Sequence, residues 1–482
     1  MTKKKKILLL SDDLRMASGV GTMSKEFVMG TAHHYDWYQI GGAIKHPEEG
    51  KIFDISDDVN KERGIKDANV KVQPISGYGN PNLLRGVLSV EKPDAIMIYT
   101  DPRFWVWLFE MEHEVRQEIP IFYYNIWDDL PYPRWNENYY ESCDLIMNIS
   151  RQTVNIVNQV CQRTPRTEKN STYIPHGINE ELFKPLSDED TKSKKYTEFM
   201  SKINSRGKKD FIILYNNRNI RRKLPGDTIL AYKHFCDQLP KEEAKKCLLI
   251  MHTNPVDNNG TDLPAVVDEL CPDYDVFFSH VKLSTEELNY LYGASDVTIN
   301  MASNEGFGLT TCESVNAGTP IVVNVTGGLQ DQCNFTIDGK YISADDYVEL
   351  GSLHNKKELP HNLSWGSWVN PVWPTNRSLQ GSPATPYIFD DRCRPEDIAE
   401  AIYKVYKLGK DERNKRGMKG RIFAMSKEAM MTAENMANNV IDAVKITGAK
   451  MLDVSTGVET KPGEKSFDKM RKFIGRVNGE FI

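Results

Sequence analysis

Glu305 and Glu313 stand with seven residues between them in the run Ser303-Asn304-Glu305-Gly306-Phe307-Gly308-Leu309-Thr310-Thr311-Cys312-Glu313, which continues through Ala317-Gly318-Thr319-Pro320 to Gly327-Gly328. Two carboxylates beside a glycine turn can each accept protons from a pair of sugar hydroxyls. The free N–H groups of a helix starting near Leu309 to Thr311 favour phosphate or another polar group. The plain alternative is structural: Thr310 and Glu313 have the spacing of a capping box, and Glu305 suits a solvated loop.

A second cluster, Asn216-Asn217-Arg218-Asn219-Ile220-Arg221-Arg222-Lys223, follows the apolar run Phe211 to Tyr215. A cationic loop at the carboxyl end of a strand is a natural anion site, although a solvated basic turn is the usual fate of such a cluster. The third candidate, Gly19-Val20-Gly21, follows the short apolar run Ile7 to Leu10. A lone Gly-x-Gly more often marks a tight turn than a ligand, so its placement after the first strand carries its weight.

These groups need rigid elements behind them. Val297 to Met301 reads as a strand, Gly306 and Gly308 as a turn, Leu309 to Ala317 as a helix ended by Gly318, and Ile321 to Val323 as another buried strand. The unit is strand, glycine turn, helix, parallel strand. Further strands are expected at Val70 to Val72, Ala95 to Tyr99, Ile119 to Asn125, Leu145 to Ile149, Phe211 to Tyr215, Cys247 to Met251 and Val276 to Phe278. Helix-length segments between them predict doubly wound parallel sheets. Ser284 to Glu287 forms a capping box for a helix ending near Gly293, and Pro395 opens another through Val405.

The 482 residues exceed one ordinary core and predict two domains. The expected division is 1–180 as a first Rossmann-like domain, 181–208 as a charge-rich linker, 209–430 as a second, and 431–482 as helices returning to the first domain plus a tail. Residues 341–392, with Trp365, Trp368, Trp373 and Tyr387, read as an aromatic insertion. A short basic amphipathic piece is expected at Phe467 to Val477. The net charge of −6, from 61 basic and 67 acidic residues, argues against a protein that coats nucleic acid through bulk charge. Eight scattered cysteines without a Cys-x-x-Cys pair fit reduced thiols in the cytoplasm, and no zinc or other metal site is expected. No run approaches the ~20 apolar residues of a membrane helix.

Taken together, the acidic residue, Gly-Phe-Gly, second Glu, Ala-Gly-Thr-Pro and Gly-Gly in register resemble retaining glycosyltransferase family 4, the group 1 glycosyl transferases. That resemblance implies the GT-B fold, in which two Rossmann-like domains face each other across a cleft. It implies transfer of a sugar from a nucleoside diphosphate donor to a hydroxyl acceptor with retention, requiring neither metal nor added cofactor. It assigns Glu305 to the donor sugar and reaction centre, Glu313 to the ribose, and Gly306, Phe307, Gly308, Leu309 and Thr310 to sugar and diphosphate. Arg218 and Lys223 match the cations that stabilise the departing diphosphate, while Arg221 and Arg222 stay unassigned. Gly19, Val20 and Gly21 map onto the family's glycine-rich loop, and Val281 lies where the nucleobase is held.

The chain departs from the family where a His commonly follows the strand here reading Ile121 to Ile126; it offers Trp127-Asp128-Asp129, and Asp128 is the candidate there. Its plain alternative is a loop turn. The acceptor is left open among saccharide, protein, small molecule and a hydroxymethylated DNA base. The last of these would require base flipping. Two other classes remain: a sugar-nucleotide epimerase, which shares the fold but not the Glu305 to Gly328 string, and a binding module with a decayed site.

Overall fold

The computed structural model describes residues 4–43, 48–162, 170–204, 207–346 and 359–446, together with short backbone pieces at 459–461 and 464–465. The first sheet contains β1 (Lys5–Asp12), β2 (Tyr35–Gly42), β3 (Phe53–Asp54), β4 (Val70–Pro74), β5 (Ala95–Tyr99), β6 (Ile121–Asn125), β7 (Leu145–Asn148) and β8 (Ser171–Tyr173). Their order is β3-β4-β2-β1-β5-β6-β7-β8, parallel except where β3 runs against β4. The central strands are apolar on both faces because helices cover both. Leu8 and Leu10 pack in one cluster, Ile7 and Leu9 in another.

The second sheet has the order β11-β10-β9-β12-β13-β17, built from β9 (Phe211–Asn216), β10 (Cys247–His252), β11 (Val276–Ser279), β12 (Val297–Asn300) and β13 (Ile321–Asn324). β14 (Thr336–Ile337), β15 (Lys340–Tyr341) and β16 (Leu363–Ser364) form a small separate sheet. β17 (Val369–Val372) completes the large sheet beside β13, and β18 (Asn376–Ser382) pairs with β19 (Thr385–Arg392) as a hairpin.

Several strands escaped the sequence reading, β2 and β17 among them. β2 carries Asp36, Gln39 and two glycines, which blur an apolar strand pattern. Gln39 is nevertheless fully used: its amide donates to Ser11 Oγ at 2.8 Å and to the Asp12 carbonyl at 2.9 Å. β17 contains Pro371, tolerated because the strand lies at the sheet edge. The stretch 341–392 is therefore not only an inserted loop region. Part of it belongs to the second sheet, and Trp368 is buried against Phe423 with ring centroids 5.1 Å apart.

In the charge-rich stretch 181–208, helices span Asp188–Lys192 and Lys194–Ile203, the second burying Phe199 and Ile203. The late helix Ala433–Ile446 packs on the Gly19–Thr31 helix; a Cβ on Gly30 would stand 2.8 Å from that of Ala437. The amphipathic piece expected at 467–477 lies outside the described residues. All eight cysteines are buried. Among the described residues no helix is long and apolar enough to cross a membrane.

Candidate active site

The carboxyl ends of both sheets open onto one cavity of about 1390 Å³. Ligands of open α/β sheets bind at this end, where loops leave the strands. Gly19 and Val20 line it from the first domain, at the start of a helix capped by Ser18. From the second domain come Arg218, Arg222 and Lys223 after β9, and Glu305 to Thr310 after β12. The two walls nearly touch: a Cβ on Gly19 would lie 3.3 Å from Leu309 Cδ1.

Two features of the Glu305 loop follow from its glycines. Gly308 has φ of +87° and precedes the Leu309–Asn316 helix with no side-chain cap, so the first N–H groups of that helix remain open toward the cavity. Gly327 and Gly328 pass directly beneath the loop, and a Cβ on either would fall 2.1 Å from the carbonyl oxygen of Glu305 or Gly306. The Gly328 N–H donates to the Glu305 carbonyl at 2.8 Å. The capping box suggested by Thr310 and Glu313 does not form, because the helix begins at Leu309 and Thr310 already sits inside its first turn.

The Lys223 ammonium contacts the Glu305 carboxylate directly, with both side chains largely buried. Burial pushes Glu305 upward, but Lys223 and Arg222 together outweigh it and hold the carboxyl below its ordinary value. Burial lowers Lys223 in turn, with Glu305 opposing. Arg222, unassigned from sequence, donates from Nη1 to the Asn304 carbonyl at 2.9 Å and so braces the loop that carries Glu305. Arg218 is mostly exposed and pairs with Asp257 at 3.3 Å.

Asp128 lines the cavity after β6, and burial raises its carboxyl to about 6. Asp129, which the sequence reading left aside, is pushed well above its ordinary value by burial and by Asp128. Its Oδ1 is buried without a hydrogen-bond partner. His176, which the sequence analysis did not single out, is buried in the cavity wall, edge-on to Phe307 at 5.1 Å. Tyr124 gives its one hydroxyl proton to the Ile174 carbonyl at 3.0 Å, so His176 Nδ1, 2.9 Å from that oxygen, carries the proton of their bond. Burial lowers His176 to about 3, keeping the ring neutral.

Two expected residues lie outside the lining. Gly21 is packed beneath its loop: a Cβ would meet the Met16 carbonyl at 2.7 Å, and its N–H caps onto Ser18 Oγ. Glu313 sits one turn into its helix, where its carboxylate accepts the Tyr292 hydroxyl at 2.6 Å and burial raises it to about 7. Tyr292 in turn accepts from Asn216, which does line the cavity, so Glu313 reaches the site through that relay. Val281 lines the cavity and is 66% exposed.

Residues 197–346 match the family described as Glycosyl transferases group 1, and residues 426–476 match N-(5'phosphoribosyl)anthranilate (PRA) isomerase. The chain is 54% identical over 41 residues to the N-(5'-phosphoribosyl)anthranilate isomerase of Zymomonas mobilis, covering 8% of this chain and 19% of that enzyme. It is 27% identical over 116 residues to the trehalose synthase of Pyrococcus horikoshii, covering 24% of this chain and 27% of that enzyme. The chain thus spans only about a fifth of the length of the first of these curated relatives. The isomerase likeness is confined to the C-terminal segment.

Among solved structures, Anabaena HepE in complex with UDP and glucose superposes with a TM-score of 0.60 at 12% identity, covering 92% of this chain and 99% of that one. The architecture is the GT-B fold, two Rossmann-like domains across a cleft.

Proposed function

We propose that this protein is a glycosyltransferase that takes a sugar from a nucleoside diphosphate donor and places it on a hydroxyl with retention of anomeric configuration. The observation that carries this reading is the Lys223–Glu305 contact, set between the open helix start at Leu309 and the cationic loop after β9. A diphosphate laid on those N–H groups, Arg218 and Arg222 puts its sugar beside Glu305. The match of residues 197–346 to group 1 glycosyl transferases and the UDP held by HepE support the same assignment.

The bond between the anomeric carbon and the β-phosphate oxygen breaks, and its electron pair leaves on the phosphate. Lys223, Arg222 and the helix-start amides stabilise that growing charge more than they stabilise the intact donor, which is what lowers the barrier. Glu305 holds the sugar and supports positive charge at its anomeric centre. The acceptor oxygen bonds to that carbon, and its proton passes to the leaving phosphate. Asp128 orients hydroxyls on the first-domain side. No step requires a metal or cofactor.

The test is product stereochemistry. Incubation with UDP-glucose, GDP-mannose and ADP-glucose in turn, followed by proton NMR of the anomeric signal, should show an α-donor giving an α-product. A β-product would overturn retention; interconversion of the donor sugar without release of nucleotide would instead indicate an epimerase.

A further inference from the structure

The cavity is electrically two-sided. Around the ends of the second sheet it carries Arg218, Arg221, Arg222, Lys223 and Lys282 against Glu305. At its other pole, between the first sheet and the β18–β19 hairpin, it carries Asp101, Asp128, Asp129 and Asp390, with Arg103 beside Asp101, Arg222 acting on Asp128 and Asp129, and Arg392 3.7 Å from Asp390. Arg103 is already neutralised by two contacts to Asp101, one of them Nε to Oδ1 at 2.8 Å. The diphosphate belongs to the cationic side, which leaves the acidic pole for the second substrate.

That pole exists because the hairpin bridges the domains. Its base is fixed to the second domain, where Asp391 accepts the Thr326 hydroxyl at 2.9 Å and the Asp391 N–H donates to the Ser303 carbonyl at 3.0 Å. Its outer strand is fixed to the first domain: the Phe389 N–H donates to the Leu130 carbonyl at 2.6 Å, and the Tyr387 hydroxyl to the Tyr132 carbonyl at 3.1 Å. The Tyr387 ring stands edge-on to Trp135 at 4.5 Å, and Arg103 Nη1 donates to the Ala384 carbonyl at 2.9 Å. So held, the hairpin presents exposed Gln380 and Ser382 to the same cavity that Asp128 and Asp129 line.

We propose that the β18–β19 hairpin forms the selecting wall of the acceptor subsite, and that the acceptor is a neutral polyhydroxyl group, a sugar or polyol without phosphate. Asp128, Gln380 and Ser382 offer hydrogen bonds suited to hydroxyls. The buried, unpartnered Oδ1 of Asp129 is a place a ligand hydroxyl can fill. A phosphorylated acceptor would meet the Asp128 and Asp390 carboxylates, while Arg103, Arg222 and Arg392 are already engaged by Asp101, the Asn304 carbonyl and Asp390; a DNA backbone would meet the same field. This inference rests on the transfer reading above.

The experiment uses the full chain and the nucleotide sugar that raises its melting temperature. Nucleotide release is followed with glucose, glycerol, glucose 6-phosphate and a duplex containing 5-hydroxymethylcytosine. Glucose or glycerol should stimulate release over water, and exceed glucose 6-phosphate in kcat/KM by at least about tenfold. The double variant Gln380→Arg/Ser382→Arg, at exposed positions, should shift that ratio toward the phosphate by about tenfold through acceptor KM. Preference of the wild type for the phosphate or the duplex, or a ratio that the double variant leaves alone, overturns the hairpin assignment while leaving transfer intact. No thermal shift with any nucleotide sugar overturns the transfer reading, and this inference with it.

Discussion

Lys223 and Glu305, 82 positions apart in the chain, meet as a buried ion pair at the floor of the cleft, one from the loop after β9 and one from the loop after β12. Adjacent parallel strands place their carboxyl ends side by side, so this meeting follows from β9 pairing with β12. Breaking a buried pair by removing one partner leaves an uncompensated charge. Lys223→Met should therefore cost about 3–5 kcal/mol in denaturant unfolding, while Lys223→Met with Glu305→Gln should recover most of that loss. Equal losses in both variants would show that the pair is not coupled.

Glu305→Gln keeps the shape of the site and removes its negative charge. Expected is a fall in kcat of at least about 100-fold with donor affinity changed far less, since the interaction is made mainly in the transition state. Steady-state kinetics and nucleotide titration check it. A loss confined to KM would make Glu305 a ground-state binder.

His176 supplies a stability signature. Its folded-state value, about 3, lies below the ordinary 6.5, so the unfolded chain binds the extra proton first as pH falls. Stability from this group is fully present above 6.5 and is lost by about 1.4 kcal/mol per pH unit between 6.5 and 3. His176→Gln should flatten the slope of unfolding free energy over that window relative to wild type. An unchanged slope would mean that the ring is not buried neutral.

Much of this was legible in the sequence. β1, β5, β9, β10, β12 and β13 are short, apolar and flanked by polar turns, so their pattern and their placement agree. Glu305, Gly308 and Lys223 sit in loops whose local composition marks them. What was hidden depends on distance in the chain. His176 lies in an exit segment and becomes cavity lining only when β8 pairs with β7. Arg222 is indistinguishable from its neighbours until the backbone turns Arg221 to Lys223 through a short 3-10 helix. In the β18–β19 hairpin β18 is rich in polar residues, and the hairpin's role comes from contacts to residues more than two hundred positions away.

Asp128 predicts the acid limb of activity. With its carboxyl raised to about 6 by burial, it is ionised above that pH and able to accept a substrate hydroxyl proton in a hydrogen bond. kcat/KM should fall as pH drops through about 6, and Asp128→Asn should lower the plateau and remove the limb. A limb that persists in the variant would assign it to another group, with Asp129 the next to test.

The most direct measurement is thermal unfolding with nucleoside diphosphates and their sugars, comparing wild type with Arg218→Ala, whose side chain is exposed and pairs only with Asp257 among the contacts described. A ligand held at one hundred times its Kd adds about 2.7 kcal/mol of stability. The account predicts a rise in Tm selective for one nucleobase, present with both the diphosphate and the sugar donor, and reduced in the variant. No rise with any nucleotide, or a rise that Arg218→Ala leaves unchanged, would contradict the placement of a nucleotide-sugar donor in this cleft.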